Sequence, residues 1–159
     1  MDKVIDNLYI GNVVEAISLF LDQKDFGAML SIGSEFIDDP VYMDYFMCEK
    51  GFPHMILELE DMSKNIREFV DDGVKFIEEN IDKKIFVHCA AGVSRSPSMV
   101  FAYLVKNSMK PIKAFELLTN TRTVAHPYGG FIKDILRHYS VPNNDIEGIM
   151  HYVKSGVFY

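Results

Sequence analysis

Apolar residues along this chain fall into short runs and longer periodic stretches that alternate with one another. Val4-Ile5 and Leu8-Tyr9-Ile10 flank Asp6-Asn7, the pattern of a hairpin or a bent strand. Asn12 with Glu15 three residues later is a capping pair that opens a helix over 13–22. Runs near 28–33, 43–48 and 54–59 read as strands, and in the last of them Met55, Leu57 and Leu59 alternate with polar partners. Ile66, Phe69, Val70, Val74, Ile77 and Ile81 recur at helical spacing and predict a helix over 64–80. Ile85-Phe86-Val87 is a compact run of branched and aromatic residues, which predicts a central strand over 84–88. Residues 99–105 are apolar nearly all round, as suits a helix over 96–107 packed inside the protein. Pro97 fits its first turn, where a missing N–H costs nothing. Lys110-Pro111 opens another helix, carrying Ile112, Phe115, Leu117 and Leu118 to about Asn120, and one more spans roughly 128–138. Such alternation implies an α/β sheet that is largely parallel wherever crossovers occur.

Beyond Tyr139, the residues Ile146, Ile149, Met150 and Val153 have helical spacing. Asn144 and Glu147 form a second capping pair and Gly156 is the expected terminator. This tail, 141–159, is expected to pack on the domain formed by 1–140. Asp38-Asp39 before Pro40 reads as a turn, and Asp71 and Asp72 fall off the apolar stripe onto a solvated face.

The chemistry concentrates in Val87-His88-Cys89-Ala90-Ala91-Gly92-Val93-Ser94-Arg95-Ser96-Pro97. A thiol and a guanidinium stand at opposite ends of a short loop between the central strand and the interior helix. The five residues between Cys89 and Arg95, Ala90 to Ser94, can curl so that backbone N–H groups converge at the helix N-terminus. Such a nest binds a tetrahedral dianion. Arg95 suits this ring better than a lysine, because two N–H donors match two phosphate oxygens. The same positive field favours the thiolate, so Cys89 is the expected nucleophile and a phosphocysteine the expected intermediate. Loop donors and Arg95 stabilise the equatorial oxygens of the transition state. Gly92 permits the turn that a side chain would obstruct. Ser96 can donate to the sulfur and improve it as a leaving group. His88 is expected beneath the loop, fixing it by hydrogen bonds rather than transferring protons. Taken singly, each part has an ordinary explanation: a small buried cysteine, a solvated Ser-Arg-Ser turn, a core histidine. The joint pattern is far rarer than its parts.

This segment resembles the His-Cys-x5-Arg-Ser/Thr signature of the cysteine-based protein phosphatases. Ala91 to Ser96, followed by Ala102-Tyr103-Leu104, is similar to the dual-specificity branch of that superfamily. So are Asn7-Leu8-Tyr9-Ile10-Gly11, the run Ala28-Met29-Leu30-Ser31-Ile32 with Glu35 after it, and Phe131-Ile132-Lys133-Asp134-Ile135-Leu136. The resemblance spans about residues 4–139. It implies a protein tyrosine phosphatase-like fold: one α/β domain with a central, mostly parallel, twisted sheet of about five strands flanked by helices. The catalytic domain is then 1–140, with 141–159 a helical extension. It also implies hydrolysis of protein phosphotyrosine and phosphoserine or phosphothreonine, without metal or cofactor. Members of the family carry a general-acid Asp between a strand and a helix, where this chain has Glu60-Asp61-Met62. Asp61 is the choice and Glu60 the alternative if the register slips by one. Before a helix, an acidic residue is also an ordinary favourable charge. Where the family often has Pro-Asn supporting the phosphate loop, this chain has Pro127-Tyr128. Arg122 and His126 either line the rim or are plain loop surface.

Composition bounds the remaining possibilities. With 159 residues, one domain is expected, and 48% hydrophobic residues argue against disorder. A net charge of −7 argues against nucleic acid or an anionic membrane as partner. Two cysteines cannot make a disulfide framework, so a reducing interior is expected, the cytoplasm or the nucleus. Cys48, near the strand expected at 43–48, reads as a small buried residue rather than a redox partner for Cys89. The amino terminus has no apolar signal core, and no apolar run approaches the roughly 20 residues of a membrane helix. The expected partner is a phosphorylated protein and the expected state a monomer. Other readings are a phosphate-recognising module that no longer catalyses, a phosphatase acting on a non-protein phosphate ester, and a rhodanese-like sulfur carrier. Phosphoinositide phosphatases of the superfamily tend to carry lysines in the Cys-to-Arg loop; Ala90, Ala91 and Val93 supply none.

Overall fold

A computed structural model describes residues 1–22 and 25–156. One sheet holds five strands: β1 (Asp2–Ile5), β2 (Leu8–Gly11), β3 (Ala28–Ile32), β4 (His54–Leu57) and β5 (Ile85–His88). Their order is β1-β2-β5-β3-β4; β1 runs antiparallel to β2 and the other pairings are parallel. Asn7, at a φ of +68°, turns the β1–β2 hairpin. Among the described residues, eight helices accompany the sheet: α1 (Val13–Asp22), α2 (Glu35–Asp38), α3 (Pro40–Phe46), α4 (Arg67–Asn80), α5 (Arg95–Lys106), α6 (Pro111–Thr121), α7 (Gly129–His138) and α8 (Asn143–Gly156). The single α/β domain and its mostly parallel sheet are those expected from the sequence.

Strand parity divides the core in two, since successive side chains of a strand point to opposite faces. Ala28, Leu30, Ile32, Ile85 and Val87 face one layer, with apolar residues of α4, α5, α6, α7 and α8. Met29 and Phe86 face the other, with Val13, Ala16 and Leu19 of α1 and with Phe36 and Phe46 of α2 and α3. β5 is buried throughout, as its unbroken apolar run requires. Helix α5 leaves its carboxyl end and is buried from Arg95 to Leu104. The loop between them therefore sits outside the carboxyl end of the central strand, where open α/β sheets bind ligands.

The strand expected over 43–48 is instead helix α3. Asp39 accepts the Val41 N–H at 2.9 Å and Pro40 takes the first helical position. That start signal outweighs the aromatic run behind it. Tyr42 and Phe46, four residues apart, both turn onto Phe36, with ring centroids 5.6 and 4.4 Å away. The turn expected at Asp38-Asp39 is accordingly the end of α2 and the cap of α3. Cys48, expected to be buried, is exposed just past the end of α3, 3.1 Å from Lys50 Nζ. The capping pair at Asn12 and Glu15 forms reciprocally, each side chain accepting the other's backbone N–H at 2.9–3.0 Å. The second, at Asn144 and Glu147, does not open its helix. α8 already begins at Asn143, with the Ile146 N–H on Pro142 O at 3.0 Å. Ile146, Ile149 and Val153 of α8 are buried in the larger core layer. Residues 157–159 of the expected extension lie outside the described residues.

Candidate active site

Cys89 directly follows β5 and is 2% exposed. The five carbonyl groups from Cys89 to Val93 all accept hydrogen bonds from outside the loop. His88 Nδ1 reaches Cys89 O at 3.1 Å, and the Val13 N–H reaches Ala90 O at 3.0 Å. Arg122 takes the next two, Nη2 at 3.4 Å from Ala91 O and Nε at 2.7 Å from Gly92 O. The His126 N–H takes Val93 O at 2.7 Å. In a trans peptide the carbonyl and the following N–H point in opposite directions. Turning five carbonyls outward therefore turns the N–H groups of residues 90–94 inward, and these have no acceptor among the described residues. An inward ring of N–H groups at the start of α5 is an arrangement that can hold a tetrahedral anion.

Gly92 makes the curl possible. Its φ is +68°, and a Cβ there would lie 2.6 Å from the Gly11 carbonyl oxygen and 2.5 Å from Arg122 Nη2. Ser94 precedes α5, and its Oγ accepts the Tyr128 N–H at 2.9 Å. Tyr128 thus supports the loop through its main chain. Ser96 Oγ lies 3.3 Å from Cys89 Sγ.

Arg95 is 6% exposed. Its Nη1 donates to Glu35 Oε1 at 2.6 Å and to Leu59 O at 3.3 Å. Glu35 opens α2 just past the carboxyl end of β3, the neighbour of β5 in the sheet. One side of the guanidinium is thereby anchored. Glu60 and Asp61 hang from Leu59, itself fully buried, and both are exposed. Asp61 Oδ1 accepts the Met62 N–H at 3.0 Å, and Met62 has a φ of +53°. Among the described residues neither carboxylate has an ion-pair partner.

His88 is fully buried, with Phe36, Phe46 and Phe86 at centroid distances of 5.0, 5.4 and 5.6 Å. Burial above all lowers its pKa to about 3, with His54 and Arg95 adding repulsion, while the Cys89 carbonyl acts the other way. Its ring is neutral near pH 7.

Two residues at this site were not legible as such in the sequence. Glu35 stood only in a resemblance to a second strand, yet it is the anchor of Arg95. Arg122, weighed as rim or surface, is 8% exposed and holds two loop carbonyls. Asp2 at 2.8 Å and Glu15 at 3.7 Å balance its charge. His126, by contrast, presents its side chain to solvent.

Residues 8–141 match the model of the dual specificity phosphatase catalytic domain. The chain belongs to the dual-specificity phosphatase family. This phosphatase is 31% identical over 140 residues to dual specificity protein phosphatase 1B of Arabidopsis thaliana, covering 85% of the chain and 79% of the relative. It is 26% identical over 137 residues to putative tyrosine phosphatase 123R of Invertebrate iridescent virus 6, covering 84% and 87%. In fold it is similar to a mouse putative dual specificity phosphatase solved with zinc tungstate. The TM-score is 0.70 at 19% identity, over 86% of this chain and 84% of that one. The family model and the curated relatives make it a protein tyrosine/serine/threonine phosphatase. Among the described residues no helix is long and apolar enough to cross a membrane, and no three His, Cys, Asp or Glu side chains group to hold a metal ion.

Proposed function

We propose that the phosphatase works through a phosphocysteine on Cys89, with Arg95 and the inward N–H groups of residues 90–94 binding phosphate and Asp61 donating the proton. The outward anchoring of all five loop carbonyls carries this reading, because it leaves a ring of donors above the thiol. Cys89 Sγ, as the thiolate, attacks phosphorus and the P–O bond to the substrate breaks. The leaving oxygen takes the carboxylic proton of Asp61. Water then attacks phosphorus, giving a proton back to Asp61, and the S–P bond breaks with Ser96 donating to the departing sulfur. The charge that gathers on the equatorial oxygens falls on Arg95 and the loop donors.

The substrate class is taken from the family: phosphotyrosine and phosphoserine or phosphothreonine side chains of proteins, as the dual specificity relatives are named. The mouse structure is a complex with zinc tungstate, and tungstate, a tetrahedral oxyanion, is the probe chosen for the ring.

Rapid mixing with p-nitrophenyl phosphate tests the mechanism. The expected result is a burst of p-nitrophenol equal to the enzyme, with phosphate trapped on Cys89 after acid quench. Cys89→Ser should retain tungstate binding and lose turnover. Hydrolysis by Cys89→Ser above the uncatalysed rate would overturn the reading.

A further inference from the structure

Three polar side chains meet on the aromatic face of the sheet. Parity puts Ser31 and His88 on the side of Met29 and Phe86, and β3 and β5 align Ser31 beside His88. His54 stands in register with Met29 on β4. Ser31 Oγ lies 2.6 Å from His88 Nε2 and 2.7 Å from His54 Nε2. Phe36, Phe46 and Phe86 pack around His88, and Phe20 and Phe46 around His54. The charged groups that face them are Arg95 towards His88 and Lys50 towards His54.

The proton on each atom is determined in turn. Cys89 O can only accept, so His88 Nδ1 carries hydrogen. A neutral imidazole then has a bare Nε2, which must accept the single O–H of Ser31. Having spent that hydrogen, Ser31 Oγ accepts, and His54 Nε2 must donate. The result is a directed chain: His54 to Ser31, Ser31 to His88, His88 to the carbonyl of Cys89.

We propose that Ser31 and His54 are positioning residues for the nucleophile, locking the His88 tautomer that holds the Cys89 carbonyl down and so turns the Ala90 N–H up into the phosphate ring. The inference rests on the phosphocysteine reading above. The opposite tautomer would set the Nδ1 lone pair against the Cys89 carbonyl oxygen, and the Cys89–Ala90 peptide would rotate away. Burial disfavours a charged His88 as a way out.

The test uses the full chain in a Cys48→Ser background, so that Cys89 alone reports as a thiol. Ser31→Ala, His54→Phe and His54→Gln are compared for kcat/KM on p-nitrophenyl phosphate, the pH midpoint of Cys89 alkylation by iodoacetate, and Tm. Ser31→Ala and His54→Phe should each lower kcat/KM roughly tenfold, the effect of one hydrogen bond lost from a buried partner. Both should move the alkylation midpoint to higher pH. The Gln amide can still donate to Ser31, so His54→Gln should stay within about twofold of wild type. A fall in Tm with kcat/KM and midpoint unchanged would overturn the proposal. So would an effect of Ser31→Ala that His54→Phe does not share. If Ser31→Ala fails to fold, the His54 pair decides, since His54 lies on an edge strand and is only half-buried. Cys89→Ser runs alongside: turnover there would overturn both readings, while a dead Cys89→Ser with active relay variants overturns the relay alone.

Discussion

Asp61 and Glu60 share a loop whose inner end is pinned, because Arg95 Nη1 contacts the Leu59 carbonyl. Glu60 and Asp61 are adjacent and both exposed, and single substitutions separate their roles. Asp61→Asn should lower kcat on a phosphopeptide about a hundredfold, the typical loss of a general acid, and should matter little for an activated aryl phosphate. Glu60→Gln should stay near wild type on both. The reverse pattern moves the proton donor to Glu60. Arg122 makes a different kind of contribution, since its planar fork reaches the Ala91 and Gly92 carbonyls together. A lysine keeps the charge but not the fork. Arg122→Lys should therefore weaken tungstate binding and kcat/KM by tenfold or more. An unchanged tungstate affinity would show that the loop holds its shape without this side chain.

At the scale of elements, what could be read from the sequence was what local signals control. β5 and α5 announced themselves because their apolar runs need no partner to be interpreted, and α1 because Asn12 and Glu15 cap it within one turn. α3 was misread: the aromatic stretch through Phe46 suits a strand, and only Asp39-Pro40 ahead of it says otherwise. Glu35 and Arg122 were illegible for a stronger reason. Their roles depend on partners 60, 30 and 120 positions away, at Arg95, Gly92 and Asp2, which no window of sequence brings together. α8 lies beyond the family match, which ends at residue 141, yet Ile146 is 3% exposed within the main core layer. Truncating a buried Ile to Ala removes about 3 kcal/mol. Ile146→Ala should then lower Tm by roughly 10 °C with kcat/KM within twofold of wild type. An unchanged Tm would mean that α8 contributes nothing to this core; a loss of activity out of proportion to Tm would tie it to the site.

For the molecule as a whole, the buried histidines decide how stability responds to acid. Burial lowers His88 to about 3 and His54 to about 4, with the Lys50 charge adding to the effect on His54. In the unfolded chain both return to about 6.5. Above that value neither state binds a proton and stability is independent of these groups. Below it the unfolded chain takes up two protons that the native state refuses, so stability falls as pH drops from about 6.5 towards 4. The slope reaches on the order of 2 kcal/mol per pH unit where both sites differ. A competing effect has the opposite sign, because acid also relieves the self-repulsion of a chain at −7. Spread over the surface and screened beyond about 8 Å in physiological salt, that term is the weaker one. Urea midpoints measured at pH 7.5, 7, 6 and 5 should therefore be flat down to about 6.5 and then decline. His54→Gln should remove one of the two protons and leave roughly half the slope. A midpoint that rises towards pH 5, or a slope the substitution does not change, would mean that these rings accept protons inside the folded protein.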